Sequence, residues 1–116
     1  MALNINGTTG LTFNNGSTQN VGGIGIAQTW QDLTASRAAF TTYTNTTGKP
    51  ISVQVSTVNG SGAVTSSTAL LIDGVQVANP GEQSNRRSWV GGIVPNGSTY
   101  FISLSANGIS NWAELR

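Results

Sequence analysis

Short apolar alternations, each closed by a turn signal, recur along this chain at intervals of roughly 8–12 residues. The cleanest runs from Pro50 to Ser56, where Ile51, Val53 and Val55 point one way and Ser52, Gln54 and Ser56 the other. That is the period of a half-buried strand, and proline fits its first position because no ladder donor is needed there. Leu70–Ile72 and Val75–Val77 flank Asp73-Gly74, which predicts a two-residue type I′ hairpin with positive φ at both turn residues. Trp89–Val94 reads as a strand, and its Gly91-Gly92 pair signals a bulge or a close backbone approach. Pro95-Asn96-Gly97 turns the chain into Thr99–Ser105, where Tyr100, Ile102 and Leu104 alternate with Phe101, Ser103 and Ser105. Asn107-Gly108 is expected to be another turn, before a last short strand, Ile109–Leu115, that carries Trp112. Arg37–Thr44 is β-branched and aromatic and is expected to be a further strand, with Ala38, Phe40 and Thr42 on one face. Between Gln28 and Ser36 the pattern is too short to propagate a helix. A loop or single turn is expected there, with Trp30 and Leu33 directed inward and Asp32 paired with Arg37. Helix beyond one turn is nearly excluded. The predicted fold is all-β: an antiparallel β-sandwich, jelly-roll-like, with a short extended N-terminal arm.

The arm has a different texture. Leu3 and Ile5 alternate with asparagines, Gly7–Gly10 turns the chain, Leu11 and Phe13 alternate again, and Asn14–Ser17 makes a second turn. Strands carrying two apolar side chains each do not form a core alone. Either the segment decorates the domain as a hairpin, or several copies pack Leu3, Ile5, Leu11 and Phe13 together for assembly or attachment. Gly22, Gly23 and Gly25 make the junction. Residues 1–23 are therefore assigned to an arm or stem and residues 24–116 to the sandwich.

Composition narrows the chemistry. With 116 residues the chain is one domain, and only 8% of them are charged, so hydroxyls and amides make the surface. A net charge of +1 with a single Arg86-Arg87 pair is no footprint for nucleic acid. The N-terminus lacks the basic and apolar regions of a signal peptide, and no apolar run is long enough to span a membrane. Synthesis in a cytoplasm without membrane insertion is expected. Histidine and cysteine are absent, which removes a Ser-His-Asp triad, a thiol nucleophile and the usual zinc ligands. The carboxylates Asp32, Asp73, Glu82 and Glu114 show neither calcium-loop spacing nor an evident glycosidase pair. No catalytic residue, metal ligand or cofactor site is nominated, and the protein is expected not to be an enzyme. The N-x-S/T triplets beginning at Asn6, Asn15, Asn45, Asn59 and Asn96 are what chance supplies in so Asn-, Ser- and Thr-rich a chain.

Binding remains. The polar loop after Ala78 brings Asn79, Gln83, Asn85, Arg86, Arg87 and Trp89 close in sequence. Tryptophan stacked on a sugar face, with amides and arginines bonding hydroxyls, is one way an uncharged β surface holds a glycan. The plainer reading puts Trp89 in the core and leaves the arginines to keep the loop soluble. The Gly/Ser-rich loop over residues 59–67 is the other place to look for specificity.

Gln28–Arg37 (QTWQDLTASR), Thr41–Ile51 (TYTNTTGKPI within it) and the Val53–Val55 alternation resemble a segment of the C-terminal domains of tailed-phage and prophage tail-fibre proteins. The ending WAELR and the leading NGTTGLTF and NNGSTQ are similar to such proteins too, where the latter links a fibre shaft to its terminal knob. The specific part covers about thirty residues. The resemblance implies a β-sandwich knob, usually trimeric, in a virion, whose receptor-binding loops are variable and carry over no residues. Because Met1 stands at the shaft-like junction, a small stand-alone virion protein is expected. The leading expectation is a homotrimeric tail-fibre or tail-tip knob that contacts other virion proteins through its arm and host surface polysaccharide through its loops. The alternative is a capsid decoration protein that binds only virion subunits; a free lectin-like module is a third reading.

Overall fold

Alternation becomes architecture most plainly at Ile51–Asn59, where Ile51, Val53, Val55 and Thr57 are fully buried and the residues between them face the other way. A computed structural model describes residues 4–7, 10–19, 23–59, 67–81, 87–105 and 107–116. Among these there is no helix. In chain order the strands are β1 Asn4–Asn6, β2 Gly10–Thr12, β3 Thr18–Gln19, β4 Trp30–Asp32, β5 Tyr43–Thr44, β6 Ile51–Asn59, β7 Ser67–Ile72, β8 Val75–Ala78, β9 Trp89–Val94, β10 Thr99–Ser105 and β11 Asn107–Leu115. Every pairing is antiparallel.

Among the described residues β1, β2 and β3 form a three-stranded sheet of their own, in that order. The other strands form two four-stranded sheets, β4-β11-β6-β9 and β5-β10-β7-β8. From β4 to β11 the chain passes from one sheet to the other at every step except the β7–β8 hairpin. That winding is a jelly roll. The core between the sheets holds Ile51, Val53, Val55, Leu70, Ile72, Val90, Val94, Tyr100, Ile102 and Trp112. Leu33 packs against it as expected.

The expected hairpin turn is present: Asp73 and Gly74 have φ of 50° and 78°, the pair of positive values a type I′ turn requires. Asp73 Oδ1 also accepts from the Thr99 N–H at 2.9 Å, which ties the turn to the start of β10. The Gly91-Gly92 signal resolves into close approach, since the β6–β9 register runs unbroken through both glycines. A Cβ on Gly91 would lie 2.7 Å from Gln54 Cδ, and one on Gly92 would lie 3.2 Å from Leu70 Cδ2.

Four expectations are corrected. Asn107 and Gly108 are not a turn but open β11, opposite Asn59 and Val58. Residues 30–32 form a strand, not a loop, because they add to the free edge of β11 with Trp30 opposite Leu115. Trp30 consequently lies on the outer face, 56% exposed, instead of pointing inward. The segment Arg37–Thr44 is extended only at Tyr43–Thr44. Phe40 interrupts it with φ of 59°, a left-handed conformation that costs a side-chain-bearing residue about 1–2 kcal/mol. Its N–H donates to the Ile102 carbonyl at 2.8 Å and its ring meets Phe101 edge-on at 6.3 Å. Those contacts hold the turn.

Candidate ligand-binding face

Two constellations stand out: a buried charge cluster that locks the motif segment in place, and an exposed aromatic face on the other side of the same sheet.

Glu114 is fully buried on β11. Its Oε1 accepts from Arg37 Nε at 3.0 Å, the Tyr100 hydroxyl at 2.9 Å and the Trp112 indole Nε1 at 3.0 Å. Its Oε2 accepts from Arg37 Nη2 at 3.3 Å and Arg116 Nη1 at 3.0 Å. The Arg37 guanidinium also stacks on the Tyr43 ring, 4.6 Å from its centroid. Burial alone would lower the Arg37 pKa, but the hydrogen bonds and charge of Glu114 raise it above its ordinary value. Burial pushes the Tyr100 phenol up to about 12, with the charge and hydrogen bond of Glu114 adding to the effect. The expected Asp32–Arg37 pair is thus replaced by Arg37–Glu114. Asp32 instead turns back on its own loop, its Oδ1 accepting from the Thr34 N–H at 3.0 Å and the Thr34 hydroxyl at 2.6 Å; these bonds lower its pKa.

The motif residues around this cluster are staples. Gln28 Nε2 donates to the Pro50 carbonyl at 2.8 Å, and its Oε1 accepts from the Gly25 N–H at 2.6 Å. Asn45 is buried and donates through Nδ2 to the carbonyls of Lys49, Val94 and Pro95 at 2.7, 3.0 and 3.1 Å. It thereby joins the loop before β6 to the loop after β9. A buried ion pair with every lone pair occupied fixes geometry more than it adds stability. None of these groups faces a cavity: the described residues enclose none, and among them no three Asp, Glu, His or Cys side chains gather as metal ligands do.

The outer face of β4-β11-β6-β9 is different. Register places Trp30, Leu115, Ser52 and Ile93 in one row across all four strands. The next row is Asp32, Ala113, Gln54 and Gly91, and the third is Asn111, Ser56 and Trp89. Trp89 is 60% and Ile93 51% exposed, so both stand proud of the sheet. Between them Gln54 lies flat across Gly91, its amide nitrogen donating to Ser52 Oγ at 3.2 Å. The face is a shallow trough along β9 and β6, with Trp89 at one end, Ile93 at the other, and the Gln54 amide and the hydroxyls of Ser52 and Ser56 between. Its one charged residue is Asp32, at the β4 edge.

The nominated residues fall as follows. Trp89 is on the surface, which overturns the reading that put it in the core. Asn79 is exposed, its Oδ1 accepting from the Gly81 N–H at 2.8 Å, and Arg87 is exposed. Gln83, Asn85, Arg86 and Leu3 lie outside the described residues, as does most of the 59–67 loop. Ile5 is 77% and Phe13 41% exposed, while Leu11 is half-buried directly opposite Ile5. The floor of the trough was missed by sequence reasoning. Its signal was present in the outward Ser52, Gln54 and Ser56, but only the pairing of β6 with β9 sets them beside Trp89 and Gly91. Compared with family models, curated proteins and solved structures, the chain matches none.

Proposed function

We propose that this protein is a structural component of a tailed-phage virion: an oligomeric, tail-fibre-type β-sandwich knob that assembles through its N-terminal arm and presents its sandwich to host surface glycan. A homotrimer is the assembly that the resemblance of residues 28–56 implies. The observation that supports this reading best is the β1-β2-β3 sheet. It leaves Ile5 and Phe13 exposed beside a sandwich that has a core of its own. Strands of two or three residues do not persist for their own sake; packed against copies of themselves or against a neighbouring subunit they gain the buried face they lack. The uncharged surface fits a protein whose partners are virion subunits and neutral sugars.

A second reading, a capsid decoration protein that binds only other virion subunits, is favoured by the edge strand β8. There Val75 and Val77 are 62% and 48% exposed, as in a strand covered by a neighbour. Antibody labelling of purified particles in micrographs separates the two. Label at the fibre or tail tips is the expected result, label over heads selects decoration, and particles without label overturn both.

A further inference from the structure

We propose that the trough on the outer face of β4-β11-β6-β9 is a binding site for a neutral oligosaccharide, with Trp89 as its stacking platform and Gln54, Ser56 and Asn111 as its hydrogen-bonding floor. The inference rests on the glycan-presenting part of the function proposed above. It moves the site from the loop after Ala78 to the sheet.

Several observations converge on that ligand class. Trp89 and Ile93 stand on one face of one strand four residues apart, roughly 13 Å at strand rise. Register sets Gly91 and, opposite it, the Gln54 amide between them. Gly91 is what allows this flatness, since a Cβ there would fall 2.8 Å from Gln54 Nε2. Ser56 is directly opposite Trp89, and Asn111 directly opposite Ser56. Neither side chain makes a hydrogen bond to the described residues. The floor therefore offers donors and acceptors of both kinds, and the rim offers an aromatic ring broad enough to cover the apolar face of a pyranose.

The absence of charge selects among ligands. An acidic polysaccharide or a phosphate-bearing chain calls for lysine or arginine on the face, and the three rows carry none. A protein partner of ordinary size calls for a contiguous apolar centre, whereas here a polar row divides Trp89 from Trp30, Leu115 and Ile93. An open trough, not an enclosed pocket, fits a chain-like ligand gripped along one side.

The test uses the full-length protein and a panel of hexasaccharides: neutral gluco-, manno-, galacto- and N-acetylglucosamine oligomers beside uronic-acid oligomers of equal length. Binding is read by tryptophan emission and by calorimetry. The expected result is saturable binding of at least one neutral oligomer with a shift in emission. Trp89→Ala should weaken it tenfold or more, and so should Gln54→Ala and Gly91→Val, the latter by forcing the amide off the strand. Arg87→Ala should leave affinity unchanged. Unfolding midpoints of the variants, measured alongside, show whether each is folded; Gln54→Ala removes only an outward side chain and keeps the test decisive. Three results overturn the proposal: no neutral oligomer binds, binding survives Trp89→Ala and Gln54→Ala undiminished, or only uronic-acid oligomers bind. A fourth, in which Trp89→Ala changes the oligomer's mass instead of glycan affinity, would make the face a subunit interface. Failure here with tail-tip labelling intact leaves the virion assignment standing. Glycan binding with unlabelled particles does the reverse.

Discussion

Glu114 shows what a single residue does for this fold. One buried carboxylate gathers Arg37, Arg116, Tyr100 and Trp112, so the motif segment, both sheets and the C-terminus meet at two oxygens. The Tyr100 phenol, pushed up to about 12 by burial and by Glu114, gives the cluster a measurable signature. The folded protein holds that proton more tightly than the unfolded chain, where tyrosine titrates near ~10. The stabilisation is complete below about pH 10 and is lost as pH rises through about 12. Urea unfolding followed from neutral to alkaline pH should show stability falling over that window. In Tyr100→Phe the fall should be shallower, and neutral-pH stability should drop by roughly 1.5–3 kcal/mol through loss of a hydrogen bond to a carboxylate. At this scale the sequence was partly legible. Arg37 called for an anion, and Asp32 was the nearest in the chain. The true partner is 77 positions away, and only the placement of β11 in the middle of its sheet brings it there. Asp32 was unavailable because Thr34, two residues on, satisfies it first.

Among the elements, β9 best separates the two uses of glycine. Gly91 and Gly92 are neighbours, yet one faces solvent-side Gln54 and the other faces Leu70, Ile72 and Val77 at 3.2 to 3.5 Å. Gly92→Ala should cost about 1–3 kcal/mol, because a methyl group there overpacks the core. Gly91→Ala should change stability by less than about 1 kcal/mol, since the flexible Gln54 end can swing aside. Chemical denaturation of the pair checks both. The period-two pattern made β6, β7, β9, β10 and β11 readable, because each has one face in the core; β8 was readable from the Asp73-Gly74 turn before it, although Val75, Gln76 and Val77 are all exposed. It failed at β4, whose three residues are too few to show a period and whose Trp30 joins the outer row. It failed again before Tyr43, where the positive φ of Phe40 breaks a run whose composition favours strand. Contacts with Ile102 and Phe101 override local propensity there.

The whole molecule exposes more surface than its mass warrants. A compact 12.0 kDa monomer has roughly 6,000 Å² accessible, and this chain has 6705 Å². Part of that surface is apolar, at Ile5 and Phe13 in the arm and at Val75 and Val77 on β8. The sandwich was legible from turns and alternation, and its jelly-roll order follows once the sheets pair. The make-up of the outer sheet face was not legible, because a face is a product of register between strands far apart in sequence. The arm is proposed to gain its missing buried face by assembly with copies of itself. Sedimentation equilibrium of the full chain, beside a variant carrying Ile5→Asp and Phe13→Asp, tests it most directly. The predicted result is a mass about three times 12.0 kDa for the unaltered chain, falling to the monomer in the variant with the sandwich still folded. A monomer in both samples, or an oligomer that ignores the two aspartates, would contradict it.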